Sequence, residues 1–134
     1  MKQVFINLPV SDLSVTVKFF TALGFTFDAR YTNEKATCMV VEENIFVMLL
    51  VRDFFQSFTS RPVVDATKAT EVLVALSAAS REEVDHLVDR AMAAGAGTVR
   101  ATEDLGFMYG RSFSDPDGHI WECAWMNPEG QSST

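Results

Sequence analysis

Two cysteines, two histidines and no Lys/Arg cluster leave the chain poor in the side chains of metal, thiol and nucleic-acid chemistry. Cys38 and Cys123 each sit in an apolar, strand-like segment. A cysteine there behaves as a small buried hydrophobe rather than as half of a disulfide. No apolar run approaches the roughly 20 residues that span a bilayer. The segment Met1-Lys2-Gln3-Val4-Phe5-Ile6-Asn7 runs straight into strand-like sequence instead of a secretory signal. These features predict a cytoplasmic location. Basic residues number 11 against 18 acidic ones, a formal charge of −7. Such a surface repels phosphate backbones and anionic lipid, so nucleic acid and membranes are not expected partners. No Gly-x-Ser-x-Gly, no Cys–His spacing of an activated thiol and no Gly-rich phosphate loop occurs, which argues against nucleophilic catalysis.

What is present is a pattern that occurs twice. Hydrophobic residues make up 48% of the chain, enough for a full core. Val4–Leu8 reads as a strand closed by Pro9, and Ser11 or Asp12 can cap a helix with the apolar stripe Val15, Phe19, Ala22 and Leu23. Gly24 ends that helix, and strands at Phe25–Tyr31, Ala36–Val41 and Ile45–Val51 follow with short polar connections. Glu71–Leu76 then reads as a strand, Ser80 with Glu83 as a capping box, and Val84, Leu87, Val88, Ala91 and Ala94 as one helix face ending near Gly95. Thr98–Ala101, Phe107–Phe113 and His119–Trp125 complete the set, with the turn Asp115-Pro116-Asp117-Gly118 between the last two.

Val4 and Val72 open the two halves 68 residues apart (72 − 4), close to half the chain. The expected fold class is therefore α+β: two tandem βαβββ modules whose curved, antiparallel-type mixed sheets enclose a shared hollow, with helices outside. One domain is expected over residues 1–126, with module one about 1–51, a less regular linker about 52–69, module two about 70–126, and a frayed tail at 127–134. A concave sheet face is a natural small-molecule site.

Two motifs carry a family likeness. Asn7-Leu8-Pro9-Val10-Ser11-Asp12-Leu13 followed by Phe19-Phe20-Thr21-Ala22-Leu23-Gly24-Phe25 resembles the opening of vicinal oxygen chelate proteins, the glyoxalase, bleomycin-resistance and extradiol-dioxygenase group. Phe113-Ser114-Asp115-Pro116-Asp117-Gly118-His119-Ile120-Trp121-Glu122 resembles their closing hairpin, and the likeness spans roughly residues 3–127. The resemblance implies a dimer and, in metal-using members, His, Glu or Gln ligands on the first and last strands of each half. Such ligands suit Mn, Fe, Ni or Zn. Of those positions only the last carboxylate is retained, as Glu122. Phe5, Met48 or Leu49, and Leu73 stand at the others, with Glu71 the one ionisable neighbour of Leu73. No metal and no other cofactor is therefore expected, and a divalent metal remains the alternative.

The candidate ligand-binding residues are Phe5, Asn7, Met48, Phe54, Tyr109, Arg111 and Glu122. Glu122 alternates with Ile120 and Ala124, opposite in sense to Trp121, Cys123 and Trp125, and is the candidate catalytic group if there is one. Tyr109 and Arg111 share one face of their strand. They either orient an anionic or aromatic ligand beside Glu122, or Arg111 simply pairs with Glu122. Asn7 has the parity of Phe5 and either lines the hollow or satisfies nearby backbone. Phe54, Phe55 and Phe58 form a lid or pack on the core. His86 is expected in solvent and His119 as an accessory of the hairpin.

Two readings follow. The first is a bleomycin-resistance-type protein that binds a small, partly aromatic or anionic molecule without an intact metal site. The alternative is a metal-dependent lyase, isomerase or dioxygenase resembling glyoxalase I (lactoylglutathione lyase), with Glu71 or His119 assisting Glu122. A third possibility is an interaction protein whose hollow is filled by its own aromatics.

Overall fold

The computed structural model describes residues 2–129, in two compact units, Met1–Asp65 and Ala66–Thr134. The first holds β1 (Val4–Val10), α1 (Leu13–Ala22), β2 (Thr26–Asp28), β3 (Ala36–Glu42), β4 (Ile45–Val51) and α2 (Arg52–Gln56). Its sheet runs β1-β4-β3-β2, with β1 parallel to β4 and the other pairs antiparallel.

Asp12 rather than Ser11 caps α1, its Oδ1 accepting hydrogen bonds from the backbone N–H groups of Ser14 and Val15. The buried stripe of α1 is Thr16, Phe19, Phe20 and Leu23, which corrects the expected stripe, since Val15 is 50% exposed. Two adjacent phenylalanines must both go inward, so the residue one turn below them is Thr16. Phe20 meets Phe25 edge-on at 5.9 Å. Beyond β2 the expected strand stops early: Asp28 accepts from the Arg30 N–H at 3.0 Å and turns Ala29–Tyr31 into a 3₁₀ helix. The segment expected to be irregular begins with the short helix α2.

The second unit holds β5 (Leu73–Ser77), α3 (Arg81–Ala93), β6 (Glu103–Asp104), β7 (Met108–Ser114) and β8 (Ile120–Met126), in the sheet order β5-β8-β7-β6 with β5 parallel to β8. Both sheets are thus mixed and the class is α+β, as the repeat predicts. Ser80 accepts from the Glu83 N–H at 3.1 Å, while the Glu83 carboxylate accepts from the Ala79 N–H at 2.7 Å. Val84, Val88 and Ala91 point from α3 into a core with Phe113, Trp121 and Cys123, all buried.

The strand expected at Thr98–Ala101 does not form. Gly97 bridges Ser114 instead, and the paired segment is Glu103–Asp104 against Tyr109 and Gly110. A Cβ at 97 would meet Ser114 Oγ, so the serine side chain would have to turn aside to admit one. The 115–118 turn is tied from within: buried Asp115 accepts from the N–H groups of Asp117 and His119 through Oδ1, and from Trp121 Nε1 through Oδ2 at 3.0 Å. Asn127–Glu129 are exposed, and residues 130–134 of the expected tail lie outside those described.

Candidate functional site

Each sheet has a tightly packed face and a more open one. In the first unit Leu8, Val10, Met39, Val47 and Leu49 form the packed face. Strand register puts Phe5 beside Phe46, and Asn7 beside Met48 and Cys38, on the other. Phe5 and Phe46 stack with centroids 4.9 Å apart, and Phe5 is 48% exposed. Three candidates, Phe5, Asn7 and Met48, therefore do share a face. The Asn7 amide donates to the Phe5 carbonyl at 3.3 Å, so the side chain satisfies its own strand. Phe54 stands on α2, edge-on to the exposed Phe58 at 5.1 Å.

In the second unit the register separates residues that were expected together. β7 and β8 pair Tyr109 with Trp125, Arg111 with Cys123, and Ser112 with Glu122. Tyr109 and Arg111 thus share the face of Trp121, Cys123 and Trp125, against α3, and Glu122 lies on the opposite face. The expected alignment of Tyr109 and Arg111 with Glu122 is corrected, as is the Arg111–Glu122 pair.

Helix α3 supplies what these two bind. Tyr109 Oη donates to Asp85 Oδ1 at 2.6 Å, and Arg111 Nη1 donates to Asp85 at 2.9 Å and to Asp89 at 2.8 Å. The Tyr109 hydrogen bond, reinforced by Arg111, holds the Asp85 carboxyl below its ordinary range, and the same bond pushes the Tyr109 phenol up. One turn earlier Arg81 lies over the rings of Tyr109 and Trp125, at 5.0 and 5.3 Å, and grips Asp104 through two 2.8 Å bonds. That guanidinium lowers the Asp104 carboxyl to about 2. This network fastens α3 to the sheet, and Arg111 is engaged in it.

The open face is centred on Glu122. Across the sheet Glu122 lies between Ala75 and Ser112, with Ala124, Ser77 and Gly110 in the next row and Ile120, Leu73 and Ser114 in the row on the other side. Most of these side chains are small, so the carboxylate rises from a shallow floor. Arg100 Nη2 donates to Glu122 Oε2 at 2.8 Å, with 22% of the Glu122 side chain exposed and 53% of Arg100. Oε1 accepts no hydrogen bond from any described residue. Ser112 is 6% exposed, and its Oγ has no hydrogen-bond partner among the described residues. Arg100 and Ser112 were not among the candidates. Counting back through the hairpin turn places Ser112 opposite Glu122, whereas nothing local marks Arg100.

The residues present do not fit a metal centre. Among the described residues no group of three or more His, Cys, Asp or Glu side chains could hold an ion. Glu71 is exposed ahead of β5, His119 is buried where its backbone N–H closes the turn onto Asp115, and Glu122 is engaged by Arg100. The thiols are no better suited to nucleophilic chemistry. Burial pushes the Cys123 thiol up to about 11 and raises that of Cys38, and both are free and buried. His86 is exposed on α3.

The profile of the Glyoxalase/Bleomycin resistance protein/Dioxygenase superfamily matches residues 2–123. No curated protein matches the chain. Among solved structures, the chain is similar to a hypothetical protein of S. aureus at 28% identity and a TM-score of 0.79, over 93% of this chain and 94% of that one. A glyoxalase-related enzyme of Fulvimarina pelagi is 22% identical with a TM-score of 0.77, over 93% and 88% of the two chains. The fosfomycin resistance protein FosX of Listeria monocytogenes is 19% identical with a TM-score of 0.68, over 96% of each chain. The last two likenesses are of fold.

Proposed function

Since the chain belongs to the Glyoxalase/Bleomycin resistance protein/Dioxygenase superfamily, we propose that it binds a small, partly aromatic molecule without a metal, on the face that carries Glu122. The observation that carries this reading is one carboxylate, with an oxygen free of described partners, standing on a floor of small side chains. Met108 and Met126, a register pair on the same face, together with Leu73 and Ile120 give it an apolar rim. Ligand sites are mostly apolar with a few convergent polar groups, and thioethers pack well against aromatic rings. The anionic alternative is set aside because the arginine it relied on, Arg111, is engaged by Asp85 and Asp89. A fold shared with enzymes does not assign an activity, and binding alone needs no bond-making group.

Phenol is a suitable probe, since its hydroxyl can donate to Glu122. In a titration of isotopically labelled protein, the expected shifts fall on residues 108–114 and 120–126, and Glu122→Leu weakens binding by about tenfold, the loss of one charge-assisted hydrogen bond. Shifts elsewhere, or unchanged affinity in the variant, would sink the site. A stoichiometric metal that survives dialysis and disappears in Glu122→Ala would refute metal-independent binding. The same reading takes the protein as a cytoplasmic homodimer. Its edge strands β1 and β5 carry the exposed Val4, Phe5 and Leu73, and a monomeric mass in sedimentation would contradict it.

A further inference from the structure

Between two anchors on β7 the chain arches outward. Gly97 and Ser114 exchange two backbone hydrogen bonds of 3.0 Å, and Glu103 pairs with Gly110. The anchors are six positions apart on one side (103 − 97) and four on the other (114 − 110), so residues 98–102 must bow away from β7 opposite Ser112. Arg100, which reaches Glu122, belongs to this arch.

Backbone alternation then settles how Ser112 meets Glu122. Ser114 turns its N–H and C=O toward Gly97, away from β8, and Ser112, two residues back, has the same orientation. Ser112 and Glu122 are therefore a non-hydrogen-bonded cross-strand pair, the closer kind, with Cα atoms about 4.5 Å apart and side chains on one face. A buried hydroxyl with no partner is costly to keep. At this position it shares a sheet face with a carboxylate, one oxygen of which accepts no hydrogen bond from a described residue.

We infer that Ser112 is a specificity-determining residue of the site proposed above, selecting a ligand whose neutral polar group both donates and accepts a hydrogen bond, such as a primary carboxamide, over a carboxylate or a bare hydrocarbon. The inference rests on that reading of the Glu122 face. The amide N–H donates to Glu122 Oε1 while its carbonyl accepts from Ser112 Oγ–H. A carboxylate would meet Glu122 charge against charge, and a hydrocarbon leaves both protein groups unpaired.

The test uses the whole chain and three probes with one ring in common: benzamide, benzoate and toluene, titrated by NMR. Wild-type protein should bind benzamide at least about fivefold more tightly than either of the others, the worth of one net hydrogen bond. Ser112→Ala should weaken benzamide by about fivefold, leave toluene unchanged, keep the discrimination against benzoate that Glu122 supplies, and melt no lower than wild type, since the buried hydroxyl has no hydrogen-bond partner among the described residues to lose. Benzamide affinity unchanged in Ser112→Ala, or a preference of the wild type for benzoate, overturns the inference. So does a variant that melts well below wild type, because Ser112 would then be structural. Equal binding of benzamide and toluene at this face defeats the role of Ser112 and leaves the site standing. If no probe shifts residues 108–114 or 120–126, the site itself falls, and this inference with it.

Discussion

Replacing Gly118 with alanine should cost more than the same change at Gly95, although both glycines have positive φ, +86° and +99°. At either position a Cβ pays the left-handed penalty of about 1–2 kcal/mol. Around Gly95 nothing lies within 4 Å of an added Cβ, so the penalty stops there. At Gly118 the new atom would sit 2.8 Å from Thr67 N, 2.9 Å from Ala66 C and 2.9 Å from Thr67 Cα. These are backbone atoms, so the contact cannot be relieved by a side-chain rotation, and such overpacking costs about 1–3 kcal/mol more. Gly118→Ala should therefore lose about 2–5 kcal/mol against about 1–2 for Gly95→Ala. In a chain of this size 1 kcal/mol moves Tm by roughly 3–5 °C. Thermal melts by circular dichroism should then place the Gly118 variant about 5–10 °C below the Gly95 variant. Equal losses would refute the reasoning, because they would mean that residues 66–67 do not rest on the turn or can step aside at no cost.

Two further predictions concern the same unit. Trp121→Phe removes the donor from a buried carboxylate oxygen, since Nε1 lies 3.0 Å from Asp115 Oδ2. Urea unfolding should show a loss of about 1–3 kcal/mol with an unchanged m-value, and a loss below about 0.5 kcal/mol would contradict the pairing. The Asp104 carboxyl, held at about 2 by Arg81, is depressed below its unfolded value of 3.8. Its contribution is therefore present above about pH 4 and lost as pH falls toward 2. Arg81→Leu should accordingly melt below wild type at pH 6 by a margin that narrows at pH 2.5, and an unchanged margin would mean that the Arg81–Asp104 pair adds no stability.

The doubled β-α-β-β-β order, the cap at Ser80, the buried face of α3 and the tight 115–118 turn were legible because each is set by residues within a turn or a strand of one another. Side-chain alternation likewise put Glu122 on the face opposite Trp121 and Cys123. The hairpin turn held more than was read from it: counting outward from Asp115 and His119 pairs Arg111 with Cys123, which already parts Arg111 from Glu122. The strand expected at Thr98–Ala101 was apolar enough, but a strand needs a partner, and β7 meets this chain only at Gly97 and again at Glu103 and Asp104. By itself, then, the sequence determined the repeat, the element order and the position of the one candidate carboxylate, all consequences of local periodicity and capping. Only the tertiary structure decided that Asp85 and Asp89 of α3 claim Arg111, that Arg100 of the arch claims Glu122, and that Ser112 is buried with no hydrogen-bond partner among the described residues. Those outcomes depend on elements more than 20 residues apart coming into contact, where geometry rather than spacing chooses which charges meet.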